Sequence, residues 1–209
     1  MKIIDISWPI STATTGYKDR SVVAFETVKQ FTKDNARETN ITLSCHTGTH
    51  VDAPAHFLQD GLTIDQIKLE RLMGSCTVLD MTDVPDAITR EHFHKYSHFV
   101  TQDAIILLKT VNSTTQATEK FTPHFIYLEA SGAQFLSEKK IKAVGIDYLG
   151  IERSQHGHPT HKILMQNNII IIEGLRLNHV PADQYQFVCL PLYAIGLEAA
   201  PARAILIRD

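Results

Sequence analysis

Thiols are scarce in this sequence: Cys45, Cys76 and Cys189 stand far apart, are odd in number and form no CxxC pair. That pattern argues against a disulfide framework and points to a reducing cytoplasm. An excess of one charge is also missing, since 20 Lys and Arg face 23 Asp and Glu for a net charge of -3. Nucleic acid and anionic membrane are therefore poor partners, and a small uncharged or weakly charged molecule suits the chain better. Long apolar runs are absent, and Asp5 interrupts the N-terminus before a signal-peptide core can develop, so neither insertion nor export is expected. No repeat, low-complexity tract or linker divides the sequence. At 44% hydrophobic and 21% charged residues, residues 1–209 read as one domain able to bury a sizeable core.

Strand signals outnumber helix signals. Ile3 to Ile10 reads as a strand, followed by extended stretches over Val22 to Thr27 and Thr39 to Ser44. The alternation of Ile41 and Leu43 with Thr42 and Ser44 has the period of a half-buried strand that delivers the chain to His46. Ile64, Ile67, Leu69 and Leu72 have roughly helical spacing, Ser75 to Met81 reads as a strand, and Thr89 to His92 resembles a capped helix start. Ala104 to Lys109 suits a strand buried on both faces in the middle of a sheet. The polar stretch from Val111 to Lys120 reads as a mobile loop. Helices are expected over Glu129 to Lys140 and Pro159 to Gln166, and strands over Ile141 to Ile146, Ile169 to Ile172, Tyr185 to Leu190 and Ala204 to Arg208. The expected class is mixed α/β (α+β), a mixed sheet with flanking helices.

The stretch from Cys45 to Phe57 concentrates the chemistry. His46, His50, Asp52 and His56 fall within eleven positions, with Gly48 and Pro54 bending the backbone between them. Imidazole and carboxylate without thiolate form the donor set of a catalytic site for a borderline divalent ion such as zinc, with manganese the alternative. Such a site makes water nucleophilic near neutral pH. His46, His50 and Asp52 form one candidate ligand set, and Asp52 can bridge two ions. Remote candidates are His161, with His156 and His158 as competitors, and Glu173 at a strand end. Gly48 and Thr49 are placed to supply backbone and hydroxyl donors that orient the imidazoles. His92, His94 and His98 read as a solvated helix face, and Trp8 as packing.

The run His46-x-Gly-Thr-His50-x-Asp52-x-Pro-x-His56, with Asp5-Ile6-Ser7, Gly145-Ile146-Asp147, His161 and Glu173-Gly174-Leu175, resembles the signature of the metal-dependent cyclase-like hydrolases. That family includes bacterial kynurenine formamidases and isatin hydrolases. The resemblance implies a swivelling β/β/α type of fold and a homodimer or larger oligomer. It also implies two metal ions per subunit: His46 and His50 on one, His161 on the other, with Asp52 and Glu173 bridging. His56 is then the general acid/base. The implied reaction is hydrolysis of a small amide, with N-formylkynurenine as the leading substrate; a cyclic-amide hydrolase or cyclase and a non-catalytic metal binder are the alternatives. Where the formamidases carry a tryptophan that lines an aryl pocket, this sequence has Tyr17 within Gly16-Tyr17-Lys18-Asp19, which makes Tyr17 the candidate substrate contact.

Overall fold

The computed structural model describes residues 1–208. In chain order it contains β1 (Lys2–Asp5), β2 (Ala24–Lys29), α1 (Phe31–Asp34), β3 (Glu38–Thr42), β4 (His50–Asp52), β5 (Met73–Asp80), β6 (Ala87–Ile88) and β7 (Ile105–Lys109). There follow β8 (Tyr127–Leu128), α2 (Ala130–Glu138), β9 (Ala143–Ile146), α3 (Pro159–Gln166), β10 (Ile170–Glu173), β11 (Gln184–Pro191) and β12 (Ala199–Arg208). The main sheet runs β1-β12-β11-β5-β7-β9-β10-β4, and β4 pairs again with β12, so the sheet closes on itself like a barrel. Pairs β5–β7, β7–β9 and β9–β10 are parallel, and the remaining pairs of this sheet are antiparallel. The mixed α/β class read from the sequence is the class observed.

Strand alternation sorts the core into two layers. Ile105 and Leu107 of β7 turn into the barrel with Val51, Ile172 and Phe187, while Ile106 and Leu108 turn outward onto Phe135 and Leu136 of α2 and Leu164 of α3. The doubly buried central strand expected over Ala104 to Lys109 is therefore β7. Each Ile or Leu so buried contributes about 1.5–3 kcal/mol relative to exposure, enough to hold a short strand in place. Gly145 of β9 is a requirement of the inner layer, because a Cβ there would lie 2.6 Å from Leu175 and 2.8 Å from Leu107.

Several local expectations need correction. The stretch from Ile64 to Leu72 forms two 3-10 turns, Ile64–Gln66 and Leu69–Arg71, rather than one helix; Ile64, Ile67 and Leu72 are buried as the spacing required, but Leu69 is exposed. The helix start at Thr89 opens a 3-10 segment, Arg90–Tyr96, in which His92 caps Thr89 through Nδ1 at 3.0 Å; His92 thus belongs to the cap, while His94 and His98 are exposed. The polar stretch after Val111 is pinned at its start: Asn112 holds Ile126 through both backbone groups, and the Ser113 hydroxyl donates to Asp147 at 2.7 Å. The strand β3 does not lead into the site half-buried. It pairs with β2 in a separate hairpin exposed along its whole length, leaving Phe25, Val28 and Ile41 accessible. The last strand, expected over Ala204 to Arg208, already begins at Ala199, and Pro201 lies inside it opposite His50 of β4. No helix among the described residues is long and apolar enough to cross a membrane.

Candidate metal centre

Register builds the centre. His50 and Asp52 are two residues apart on β4 and share one face, while Val51 between them enters the barrel core. The antiparallel partner β10 sets Glu173 directly opposite His50 and Ile171 opposite Asp52, so the Glu173 carboxylate emerges beside both. Helix α3 starts at Pro159, whose fixed φ suits a first helical position, and brings buried His161 to the same face from its first turn. The sequence places these residues more than a hundred positions apart, and sheet closure through β4 brings them together.

His50 Nε2 lies 3.3 Å from Glu173 Oε2 and 3.5 Å from Asp52 Oδ1. His161 Nε2 lies 3.5 Å from Glu173 Oε1 and 3.9 Å from Asp52 Oδ2. His46, 26% exposed at the outer side, sets Nδ1 3.0 Å from Asp52 Oδ1 and faces Glu198 with Nε2 at 3.4 Å. The His46 and His56 rings are 4.3 Å apart. Ligand atoms of His50, Asp52 and Glu173 come within 4.8 Å of one another, as do those of His46, Asp52 and His56. All six sequence candidates for ligation or proton transfer thus occupy one cluster. His156 is exposed, and His158 stands at the edge with Nδ1 3.0 Å from Glu152.

The imidazoles are oriented from behind. His50 Nδ1 donates to the Gly48 carbonyl at 2.9 Å, and His161 Nδ1 donates to Glu152 Oε2 at 3.2 Å, so each aims Nε2 at the carboxylates. This arrangement corrects the expectation for Gly48 and Thr49: Gly48 contributes an acceptor, and the Thr49 hydroxyl donates to the Gly174 carbonyl at 2.5 Å while receiving Trp8 N–H at 2.6 Å, tying β4 to β10 and to the start of the chain. Gly174 must lack a Cβ because one would fall 2.3 Å from the Gly48 carbonyl oxygen, and its φ of +70° suits glycine. Trp8 itself is packed, edge-on to Tyr148, as the sequence suggested. Glu152 is the functional residue that sequence reasoning missed. A single glutamate nine positions before a histidine carries no periodic signal, and only the turn after Gly150 brings it behind His161.

Burial disfavours charge on every one of these groups, yet the pairings override it. Burial pulls the His50 imidazole down, but the facing Glu173 and Asp52 carboxylates raise it to about 9. His161, likewise opposed by burial, is raised to about 10 by Glu152 and Glu173. Burial pushes the Glu173 carboxyl up, and the two histidines outweigh it and hold it well below the usual range. His56 differs, since burial and the neighbouring His46 and His161 lower its pKa and keep it neutral at pH 7. Protonated imidazoles here act as counterions for buried carboxylates. His50 Nε2 and both Asp52 oxygens nevertheless lack a hydrogen-bond partner, which is costly for buried groups. A divalent cation satisfies these orphaned atoms at once, and the nitrogen and oxygen donor set fits one. The centre opens into a cavity of about 350 Å³ with Tyr17, Phe57 and Leu149 on its walls and His46, His56 and His161 at its floor.

A family model described as putative cyclase matches residues 4–153. The chain belongs to the cyclase-like hydrolase family. The rice (Oryza sativa subsp. japonica) Cyclase-like protein 3 is 35% identical over 181 residues, covering 83% of this chain and 66% of its own length, so the chain spans just under two thirds of that plant family member. Kynurenine formamidase of Bacillus anthracis is 27% identical over 98% of this chain and 97% of its own. A solved structure described as a potential metal-dependent hydrolase with cyclase activity is 40% identical, with a TM-score of 0.88 over 100% of this chain and 98% of that one. Isatin hydrolase A from Labrenzia aggregata, at 21% identity, shares the fold with a TM-score of 0.87 over 98% of this chain and 93% of its own. The cyclase-like hydrolase fold is thus the architecture described above.

Proposed function

We propose that this hydrolase acts on a small amide in the manner of a kynurenine formamidase, with an aryl formamide such as N-formylkynurenine as substrate. The observation that carries the reading is the convergence of orphaned ligand atoms from His50 and Asp52 beside Glu173, with a neutral imidazole, His56, next to them at the floor of an apolar-walled cavity. The residues that would hold a metal are His46, His50 and His161 with the Asp52 and Glu173 carboxylates. Zinc or manganese bound there supplies a Lewis acid and lowers the pKa of water toward neutrality.

The chain's own groups do the rest. Gly48 and Glu152 fix which nitrogen of His50 and His161 faces the centre, so no reorganisation is needed when ligand binds. His56 is uncharged at neutral pH, so it accepts a proton at the floor and returns it to the departing nitrogen. Phe57, Leu149 and the Tyr17 ring line the walls and exclude water from an aryl group.

Protein loaded separately with zinc and with manganese and offered N-formylkynurenine and isatin tests the reading. Release of formate from the first supports it; ring opening of isatin alone makes the protein a cyclic-amide hydrolase; no turnover of either overturns it. In His56→Ala, kcat falls by about 10²- to 10⁴-fold, the usual worth of a general acid/base, while metal content by mass spectrometry stays near wild type. Metal loss instead makes His56 a ligand, a role its approach to His46 and Asp52 also permits.

A further inference from the structure

Arg20 differs from the other arginines of the chain. The sequence has eight. Arg90, Arg153, Arg203 and Arg208 pair with the carboxylates of Glu138, Asp86, Asp5 and Asp183. Arg71 and Arg176 donate to backbone carbonyls, and Arg37 lies over the Phe31 ring. Arg20 has no carboxylate, carbonyl or ring partner for its guanidinium among the described residues, and it lines the cavity above the candidate metal centre together with Ser21 and Ser44.

The segment that carries it is held in place. Thr15 N–H donates to the Ala117 carbonyl at 2.9 Å, and the Asp19 carboxylate, the nearest acid in sequence, is occupied by Phe121 N–H at 2.8 Å. The Tyr17 ring packs edge-on against Phe121 at 4.8 Å. A pinned turn thus presents an unpaired cation to the cavity. Among the residues lining the cavity, Arg20 is the only lysine or arginine.

We propose that Arg20 is a specificity-determining residue that binds an anionic substituent, a carboxylate, on the substrate while the scissile carbonyl lies at the floor. The proposal rests on the amide-hydrolase reading for its reaction but not for its binding site. A planar guanidinium donates two parallel charge-assisted hydrogen bonds to a carboxylate, a geometry that lysine does not reproduce.

The test has two arms. In the first, metal-loaded wild type, Arg20→Ala and Arg20→Lys hydrolyse formanilide and its ortho-, meta- and para-carboxylated forms. Wild type favours at least one carboxylated form over formanilide, Arg20→Ala lowers that preference by about tenfold to a hundredfold through KM rather than kcat, and Arg20→Lys restores part of it. An equal preference in wild type and Arg20→Ala overturns the proposal. In the second arm, calorimetry measures 3-phenylpropionate binding to metal-free protein, where the carboxylate has no ion to bind. Affinity at least tenfold weaker in Arg20→Ala supports the proposal, and equal affinity overturns it. Should no formamide be turned over by any variant, the amidase reading fails while the calorimetric arm still decides the role of Arg20.

Discussion

In the centre beneath the cavity, His50, Asp52 and Glu173 stand on paired strands and are almost wholly buried, with His50 oriented by the Gly48 carbonyl and Glu173 by the Ile151 N–H. At the rim, Tyr17 opens and Arg20 caps a 3-10 turn with left-handed backbone at Lys18 and Asp19; the two are half-buried and exposed, and the segment is joined to the body by a few loop hydrogen bonds. The floor obtains its precision from a sheet in which a one-residue slip would turn His50, Asp52 or Glu173 away. The rim obtains its position from local contacts that tolerate change. Under the proposed function, the closed sheet sets the chemistry, and substrate choice falls to a segment that can vary without disturbing it.

Substitutions at floor and rim should separate on this account, beginning with the largest effect. Asp52→Ala removes the carboxylate shared by both sides of the centre and leaves His50 and His161 with Glu173 alone. Metal content by mass spectrometry should collapse, with an affinity loss exceeding the roughly 10- to 100-fold cost of an outer-shell change. Retention of metal and turnover would show that the floor does not depend on this carboxylate. Glu152→Gln keeps the size of the group behind His161 but removes its charge. Metal affinity, measured by chelator competition, should fall about 10- to 100-fold while the fold, followed by circular dichroism, is retained; an unchanged affinity would remove Glu152 from the centre. The smallest effect belongs to the rim. Tyr17→Phe keeps the ring that packs on Phe121 and loses only the hydroxyl. Its kcat/KM should change by less than about tenfold, in line with one neutral hydrogen bond of about 0.5–1.5 kcal/mol, and a loss as large as that of Glu152→Gln would erase the distinction between floor and rim.

Parts of this molecule are legible in the chain and parts are not. The apolar run Ile105 to Leu108 announces a central strand because both of its faces are buried, and no solvent-facing alternation dilutes the signal. The spacing of Ile64, Ile67 and Leu72 correctly marks buried residues, but the same spacing fits two 3-10 turns, since a turn of three also brings every third side chain to one side. The alternation of Thr39 to Ser44 misleads for another reason: it specifies a strand without specifying a core, and β3 spends it on an exposed hairpin. β4 is only three residues long, so its strand character is invisible beside the histidines it carries.

What the sequence determined by itself was the donor chemistry, because imidazole and carboxylate concentrated between His46 and His56 have few uses other than holding a cation and moving protons. It also determined the class of fold, through the number and burial of its strands. Only the tertiary structure decided that His161 and Glu173 stand across from His50 and Asp52, that Glu152 backs His161, and that Arg20 faces the cavity without a partner. Those facts depend on the closure of the sheet through β4 and on the path of two loops. Both are set by long-range pairing, which local residue patterns do not encode.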